Sequence, residues 1–267
     1  MICCKDLHVT FNRGLPTEKL ALRGIDLTIP MGEFVTVIGS NGAGKSTLLN
    51  TIAGDINSTK GQILFGDRDV TKLPATGRTA DIARVFQDPL AGTCGDLTVE
   101  ENMALAYGRG KRGRLSSALN SKMRGIFREQ LSRLNLGLEN RLESEMGLLS
   151  GGQRQSVSLL MSALQPSTIL LLDEHTAALD PKTAALIMDI TSQIIAEKQL
   201  TVMMVTHSMR QALDHGSRTI MLHEGKIIFD LAGEKRAGYQ VKDLLNLFAQ
   251  ARTDGEELDD DKLLLGA

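Results

Sequence analysis

Nine consecutive residues give the strongest indication of the fold of this chain: Gly39-Ser40-Asn41-Gly42-Ala43-Gly44-Lys45-Ser46-Thr47. The run fits the pattern G-x-x-x-x-G-K-[ST] at every fixed position. Backbone N–H groups around such glycines can point at one anion, because no side chain blocks its approach. Lys45 adds a positive charge near the β- and γ-phosphates, and the Ser46 hydroxyl can ligate Mg²⁺. The run therefore predicts a loop that binds the phosphates of a nucleotide.

The residues on either side of this loop support that prediction. The run Phe34–Ile38 is rich in β-forming residues and is typical of a buried strand. The segment Thr47–Ala53 has its apolar residues on one helical face, and Gly54 suits the end of that helix. Strand, glycine loop and helix is the required order, and the helix N-terminus attracts anions as well. A glycine-rich turn that fits the pattern by chance is the alternative, and the correct flanks argue against it.

Composition limits what the protein can be. The chain has 267 residues, 42% of them hydrophobic and 23% charged, which suits one globular domain or one with a subdomain. A net charge of −2 gives no bias toward nucleic acid, so no nucleic-acid partner is expected. No apolar stretch approaches the about 18 residues that read as a membrane span, and Met1–Asp6 lacks the pattern of a signal peptide.

The three cysteines have neither metal-binding spacing nor the pattern of a disulfide framework, which suits a reducing compartment. Cys3 and Cys4 invite comparison with lipid-attachment sites, but nothing else in the sequence supports that interpretation. The start of a β-strand is the favoured interpretation of both residues.

Two carboxylates close the apolar run Ile169–Leu172. An acid at such a strand end supports Mg²⁺ in nucleotide-hydrolysing proteins with a phosphate loop, and Asp173 fits that role. Glu174 follows directly, where it could polarise an attacking water. A buried strand capped by two solvated acids is the alternative, and the phosphate loop disfavours it.

Two further β-rich runs end in a polar side chain. His207 follows Thr201–Thr206, and Gln87 closes another run earlier in the chain. A helix with apolar residues at helical spacing, Pro181–Lys198, links the acidic strand to the strand before His207. Strand–helix–strand implies parallel neighbours, so we expect His207 at the same sheet edge as Glu174. Gln87 could touch Mg²⁺ or the attacking water, and an ordinary structural role is the alternative for both polar residues.

The run Leu149-Ser150-Gly151-Gly152-Gln153 precedes the acidic strand. Ser150 is a good helix N-cap, and the glycines allow a phosphate to approach the backbone. An apolar face that includes Val157, Leu160 and Met161 follows, so a second helix N-terminus is available to an anion. One chain cannot easily bring two such helix ends to one γ-phosphate, whereas a head-to-tail dimer with twofold symmetry can.

In this order the motifs resemble those of the nucleotide-binding subunit of a bacterial ATP-binding cassette (ABC) transporter, over roughly residues 1–230. The resemblance implies an α/β fold with a P-loop NTPase (ABC ATPase) core, a mixed sheet, an antiparallel β subdomain and an α-helical subdomain. Residues 1–87 and 165–250 would form the core with its β subdomain. Residues 88–164 would form the helical signature subdomain, and residues 251–267 an acidic, flexible tail.

The resemblance also implies a role for each motif residue in binding ATP. Phe11 would stack on adenine, although tyrosine is commoner at that position, and Gly39–Thr47 would hold the phosphates. Ser46, Gln87 and Asp173 would hold Mg²⁺. Hydrolysis would use four residues: Glu174 as general base, with Lys45, Gln87 and His207.

A second group of residues would act between molecules. Gln87 would link the site to a membrane partner. In a head-to-tail homodimer, Ser150, Gly151, Gly152 and Gln153 would face the ATP bound by the other copy. Asp180 would communicate across that dimer. The implied partners are an integral membrane permease and a solute-binding protein, and the implied location is the cytoplasmic face of the inner membrane, as a peripheral protein.

One position departs from the family pattern. In the segment Asp173–Asp180, which reads D-E-H-T-A-A-L-D, His175 stands where most relatives have proline. A tolerated turn substitution is the simpler interpretation. The other is a subgroup that resembles the ATPases of importers for small organic solutes, with aromatic amino acids as one candidate.

The implied function is hydrolysis of ATP to drive import of a small organic solute through a separate permease. An exporter or lipid-extraction ATPase is one alternative, although residues 143–148 only loosely match the acidic segment that many exporters carry before the signature. A soluble cassette ATPase, such as an iron–sulfur assembly factor, is the other. DNA-repair cassettes are disfavoured, because too few residues separate Gln87 from Ser150 for their long coiled coil.

Overall fold

The computed structural model describes residues 1–110 and 119–252, the last two of them by backbone alone. The strands are β1 (Ile2–Phe11), β2 (Lys19–Ile29), β3 (Phe34–Ile38), β4 (Lys60–Phe65), β5 (Arg68–Asp69), β6 (Ile82–Val85), β7 (Ile169–Asp173), β8 (Val202–Val205), β9 (Arg218–His223) and β10 (Lys226–Ala232). The α-helices are α1 (Lys45–Ala53), α2 (Ala75–Arg78), α3 (Val99–Tyr107), α4 (Ser121–Ser132), α5 (Gly151–Ser162), α6 (Pro181–Lys198), α7 (Met209–Asp214), α8 (Gly233–Ala237) and α9 (Val241–Arg252). Short 3₁₀ helices span Leu138–Asn140 and Met146–Leu148.

The described chain divides into two units. One contains residues 1–78 and 201–252, and the other contains residues 79–200. The boundaries expected at residues 87 and 165 stay a prediction, and the tail expected at residues 251–267 lies almost wholly outside the described residues. Within residues 1–110 and 119–252, no helix has both the length and the apolar content that crossing a membrane requires.

In the first unit, β3 lies within a mixed sheet between β9 and β8, and β10 lies outside β9. β3 is parallel to both neighbours, with Val35 opposite Met203 and Val37 opposite Ile220. β10 is antiparallel to β9. The residues from 35 to 38 are all buried, as expected for a parallel strand covered on both faces.

Helix α1 follows β3 and contributes to the same core. Its side chains Leu48, Leu49 and Ile52 are fully buried. Gly54 ends the helix in the left-handed conformation, and its N–H donates to the Asn50 carbonyl. The predicted strand–loop–helix order, with Gly54 at the helix C-terminus, is therefore confirmed.

A second, antiparallel sheet in this unit has the strand order β2-β1-β4-β5. Cys3 and Cys4 lie in β1, as the favoured interpretation of these residues predicts. Burial raises the pKa of the Cys4 thiol to about 12, so this thiol stays protonated and unreactive near neutral pH. The predicted combination of a mixed sheet, an antiparallel sheet and helices is confirmed.

The C-terminal part of the first unit closes its core. Glu224 and Gly225, which connect β9 to β10, both have positive φ angles of 43° and 77°. This conformation suits a two-residue hairpin turn. Leu244 and Phe248 of helix α9 belong to the same buried hydrophobic cluster as Ile38, the last residue of β3. The C-terminal helix thus supports the strand that leads into the phosphate loop.

The second unit contains a parallel strand pair and most of the helices. β6 and β7 run parallel, with Val85 opposite Leu172. Helix α6 begins at Pro181 and ends at Lys198, as predicted. Helix α5 contacts both α6 and α3. Because both strands run in the same direction, the segments that follow Val85 and Leu172 emerge at one end of the pair.

Candidate functional site

The phosphate loop connects β3 to α1, and its glycines are required by their surroundings. Gly39 has a φ of 145°, and a Cβ atom there would lie 2.1 Å from the Leu222 carbonyl oxygen. Gly44 has a φ of 104°, and its Cβ would lie 2.7 Å from the Ala21 carbonyl oxygen. Only glycine accepts these angles and approaches without strain. The loop is therefore held against the backbones of β2 and β9.

The N-terminus of α1 is open to an anion. Its N-cap, Gly44, offers no side chain to accept from the first helical N–H groups, and the first turn has no acidic residue. Such a helix end carries a partial positive charge and unsatisfied donors. The buried Lys45 ammonium donates to the Gly39 carbonyl at 2.7 Å and to the Ser40 carbonyl at 3.1 Å, which places its charge beside the loop. These features fit the phosphates of a nucleotide.

His207 follows β8, at the same end of the mixed sheet as the phosphate loop. The Thr206 N–H still donates to the Val37 carbonyl at 3.1 Å. Helix α7 begins two residues after His207, with the Ser208 hydroxyl accepting from the Gln211 N–H. His207 is thus held between a paired strand end and a capped helix, which limits the positions its half-buried ring can take.

Phe11 lies in the N-terminal strand of the first unit. It is the last residue of β1 and pairs with Lys19 of β2. Its side chain is 37% exposed. An exposed aromatic ring is available for stacking on a base, and its predicted role with adenine stays a prediction.

In the second unit, Asp173 is the last residue of β7, Glu174 follows it, and Gln87 lies two residues after β6. The parallel pairing of β6 and β7 brings these segments to one end of the strand pair. Asp173 Oδ2 accepts from Arg84 Nη2 at 3.0 Å. Glu174 has a φ of 44°, a conformation that costs a non-glycine residue on the order of 1–3 kcal/mol and that is concentrated at functional sites.

Gln155 ties these two segments together, and sequence reasoning missed it. Its side chain is fully buried in α5. Its Nε2 donates to the His175 carbonyl at 2.7 Å and to the Phe86 carbonyl at 3.2 Å. It therefore fixes the residue after Glu174 relative to the residue before Gln87. The available signal was a glutamine two residues before Val157, which begins the apolar helical face predicted with Leu160 and Met161.

His175 lies inside the second unit. Its side chain is 2% exposed, and its Nε2 lies 3.2 Å from the Thr191 hydroxyl of α6. The ring thus attaches the segment after β7 to the middle of α6. The choice between a tolerated substitution and a subgroup marker stays open.

The signature residues form the start of α5. The Ser150 hydroxyl accepts from the Gln153 N–H at 3.3 Å, and Gln153 Oε1 accepts from the Ser150 N–H at 3.2 Å. This reciprocal arrangement confirms Ser150 as the N-cap. A Cβ atom on Gly152 would lie 2.4 Å from Thr183 Cγ2 of α6. The packing of α5 on α6 therefore favours glycine at position 152, which gives this residue a second role beside the predicted approach of a phosphate.

Asp180 also has a structural role in addition to its predicted one. Its carboxylate accepts from the Thr183 N–H at 3.1 Å and caps α6. Hydrogen bonds from the Thr183 side chain and backbone hold the pKa of Asp180 below its usual value. Its predicted role in communication across a dimer stays a prediction.

The residues predicted to hold Mg²⁺ would share the ion with the phosphates of a bound nucleotide. Among the described residues, no group of three or more His, Cys, Asp or Glu side chains is arranged to hold one. Mg²⁺ is commonly bound by one or two protein oxygens together with substrate phosphates. A hydroxyl in a phosphate loop and a carboxylate at a strand end fit that mode of binding.

Comparisons with known proteins give a consistent result. Residues 22–177 match the family model described as ABC transporter. The tyrosine transport ATP-binding protein of Clostridioides difficile (strain R20291) is 42% identical over 94% of this chain and 100% of its own length. The thiamine import ATP-binding protein of Chelativorans sp. (strain BNC1) is 37% identical over 77% of this chain and 78% of its own length.

Solved structures agree with the sequence comparisons. A dimeric ATP-binding cassette in a post-hydrolysis state, bound to ADP and Pi, is 31% identical, with a TM-score of 0.74 over 90% of this chain and 100% of that one. A cassette in its ADP conformation, at 22% identity and a TM-score of 0.75, shares the fold. Together with the phosphate loop and the capped signature helix, these matches show that the chain belongs to the ABC transporter family, as an ATP-hydrolysing cassette.

Proposed function

We propose that this chain powers the import of a small organic solute, with an aromatic amino acid as the first candidate. The observation that carries the proposal is its 42% identity, over 94% of the chain, to a protein named for tyrosine transport. The relatives named for thiamine import match a smaller share of the chain at lower identity. We therefore rank an amino acid above thiamine.

The proposed ATP site would use residues from several of the motifs. Phe11 would contact the adenine, and the backbone of Gly39–Thr47 with Lys45 would hold the phosphates. The strained backbone of Glu174 supports a role for its carboxylate in orienting the attacking water as general base. His207 would hold the γ-phosphate in the geometry for attack.

Mg²⁺ would be held by the Ser46 hydroxyl together with Asp173 and Gln87. When bound, the ion would neutralise negative charge on the β- and γ-phosphate oxygens. The residues of the chain would do the rest: they would position the phosphates, orient the water and exclude competing geometries.

Two copies of the chain would form the complete site. The signature Ser150–Gln153 of one copy would face the phosphates held by the other, and Asp180 would transmit the state of one site to the next. The dimeric form of a 31% identical cassette supports this arrangement. An isologous dimer of this kind contains two equivalent sites.

A permease would contact the second unit. A groove of about 590 Å³ lies beside the Phe86–Gln87 segment, and its wall includes Phe86, Ala91, Leu105 and Met161. Its size and its mixed wall of apolar and polar residues suit a short amphipathic helix of a membrane partner, and its position next to Gln87 would connect that partner to the ATP site. The chain would then act at the cytoplasmic face of the inner membrane as a peripheral protein, with a solute-binding protein delivering the solute.

Isolation of the whole complex tests this function. Affinity purification of the chain from detergent-solubilised membranes should recover a permease, and cells that lack the chain should lose uptake of labelled tyrosine while uptake of labelled thiamine persists. Loss of thiamine uptake alone would replace the amino acid by thiamine. Recovery of no membrane protein would contradict the transport function.

A further inference from the structure

Arg84 connects two features that the proposed function treats separately. It lies in β6, a short strand whose other residues are Ile82, Ala83 and Val85. Its Nη2 donates to Asp173 Oδ2 at 3.0 Å, and the two side chains are only 13% and 16% exposed. A charged residue in an otherwise apolar strand calls for a reason, and none of the sequence motifs includes Arg84.

The ion pair would compete with a metal ion for the Asp173 carboxylate. Solvent screens a pair that is this little exposed less than it screens a surface pair. The guanidinium also occupies one oxygen of the carboxylate that the proposed function places near Mg²⁺. Its positive charge repels a second cation that approaches Asp173. Arg84 therefore lowers the readiness of Asp173 to support a metal ion.

The other face of Arg84 belongs to the groove. The guanidinium carbon lies 4.4 Å from the centroid of the Phe86 ring, a cation–π contact. Both side chains line the groove of about 590 Å³ described above. Phe86 itself is held closely, because a Cβ on Gly92 would lie 3.2 Å from its ring. One side chain thus touches both the groove wall and the carboxylate.

We propose that Arg84 is a positioning residue that couples the groove to the metal-supporting carboxylate. It holds Asp173 in an ion pair while its guanidinium rests on Phe86. A partner segment that enters the groove and shifts the Phe86–Arg84 contact changes the hold on Asp173, and with it the affinity for the metal–nucleotide complex. The inference rests on the proposed function, because it takes Asp173 as the carboxylate near Mg²⁺.

Nucleotide affinity with and without Mg²⁺ tests the coupling. The full chain is titrated with a fluorescent ATP analogue. The dissociation constant without Mg²⁺, divided by the dissociation constant with Mg²⁺, measures the metal dependence. Arg84→Gln removes the competing charge and should raise this ratio by about tenfold, which corresponds to ~1.4 kcal/mol. Arg109→Gln is the matched control, because Arg109 lines the same groove but donates to the Gln165 carbonyl, and it should leave the ratio unchanged.

Two further variants separate the possible failures. Asp173→Asn should abolish most of the metal dependence and make Arg84→Gln silent. If Asp173→Asn changes nothing, the proposed metal role of Asp173 is wrong. If Asp173→Asn acts as expected while Arg84→Gln leaves the ratio unchanged or lowers it, the Arg84 inference alone is overturned.

The link to the groove has its own test. Phe86→Leu should raise the ratio in the wild-type background by less than Arg84→Gln does, and it should have no effect once Arg84 is glutamine. An equal effect in both backgrounds would break the link. Arg84→Lys keeps the charge and guards against a folding defect in the glutamine variant. Because lysine lacks the planar guanidinium that lies on Phe86, this variant should raise the ratio, but by less than Arg84→Gln does, and behaviour like that of glutamine would contradict the role of charge.

Discussion

At the residue scale, Glu174 combines a carboxylate with a backbone angle that few glutamates adopt. Glu174 directly follows the buried strand β7, and its φ angle is 44°. Gln155 holds the next carbonyl in place, so the strained angle is supported from the helix behind it. A strained residue of this kind, fixed by a buried hydrogen bond, is consistent with a catalytic position.

The first prediction concerns Glu174→Gln. The amide keeps the size of the side chain but cannot accept a proton, so ATP hydrolysis should fall by about 10²–10⁴-fold. Phosphate release measures hydrolysis, and equilibrium titration with ATP should show affinity within about threefold of wild type. Glu234→Gln, on the exposed surface of α8, is the matched control and should hydrolyse ATP normally. Full turnover by the Glu174 variant would remove it from the proposed role.

The second prediction separates two roles of Asp180. Asparagine caps a helix as well as aspartate does, whereas alanine loses the cap at a cost of about 1 kcal/mol. Asp180→Ala should therefore lower the melting temperature, and Asp180→Asn should not. If Asp180 also communicates across a dimer, Asp180→Asn should still reduce the cooperativity of ATP hydrolysis, measured as the Hill coefficient. Wild-type cooperativity in the asparagine variant would leave the cap as its role.

Among the helices, the contact between α5 and α6 favours a residue without a Cβ atom at position 152. Gly152 faces Thr183, and an alanine there would bring two carbon atoms to 2.4 Å. Gly151 has room, because its Cβ would meet Leu179 at 3.6 Å, an ordinary contact distance. The two signature glycines therefore differ in their physical requirement, although the sequence treats them alike.

The third prediction follows from this difference. Gly152→Ala should destabilise the chain by about 1–3 kcal/mol through overpacking, which thermal unfolding measures as a fall of several degrees. Gly151→Ala should leave the melting temperature unchanged or raise it slightly, since alanine favours a helix. The double variant Gly152→Ala with Thr183→Ser removes the opposing methyl group and should recover most of the loss. Equal behaviour of the two single variants would contradict the packing argument.

For the whole molecule, the proposed site shared between two copies predicts a property that no single chain would show. Lys45→Ala impairs the phosphate loop and leaves the signature intact, whereas Ser150→Arg does the reverse. Each variant alone contains no intact site in a head-to-tail dimer. A mixed dimer contains one, formed by the loop of one copy and the signature of the other.

The fourth prediction is therefore a recovery of activity on mixing. Equal amounts of the two variants should regain up to about a quarter of wild-type ATPase activity, because half of the dimers are mixed and each has one intact site. Phosphate release before and after mixing measures the recovery. A mixture that stays inactive, although wild-type dimers form normally under the same conditions, would argue against a site shared between two copies.

Local patterns predicted much of the fold. Glycine angles, capping and hydrophobic spacing within a few residues predicted three features: the phosphate loop, the helix that Gly54 ends, and the start of α6 at Pro181. The contacts of Gln155, Arg84 and Gly152 were not predicted. Each depends on a partner that is distant in the sequence, and no local pattern identifies that partner.

The family, the phosphate loop and the order of the motifs follow from the sequence alone, because each of these is encoded in residues that are neighbours along the chain. The contacts that hold these motifs appear only in the folded chain. Folding brings Arg84 to Asp173 and places Gln155 between two backbone segments. It also packs Gly152 against Thr183, so this glycine has a packing role beside its predicted one. Ion pairs, buried amides and close helix contacts are stabilised by neighbours in space, and only folding brings those neighbours together.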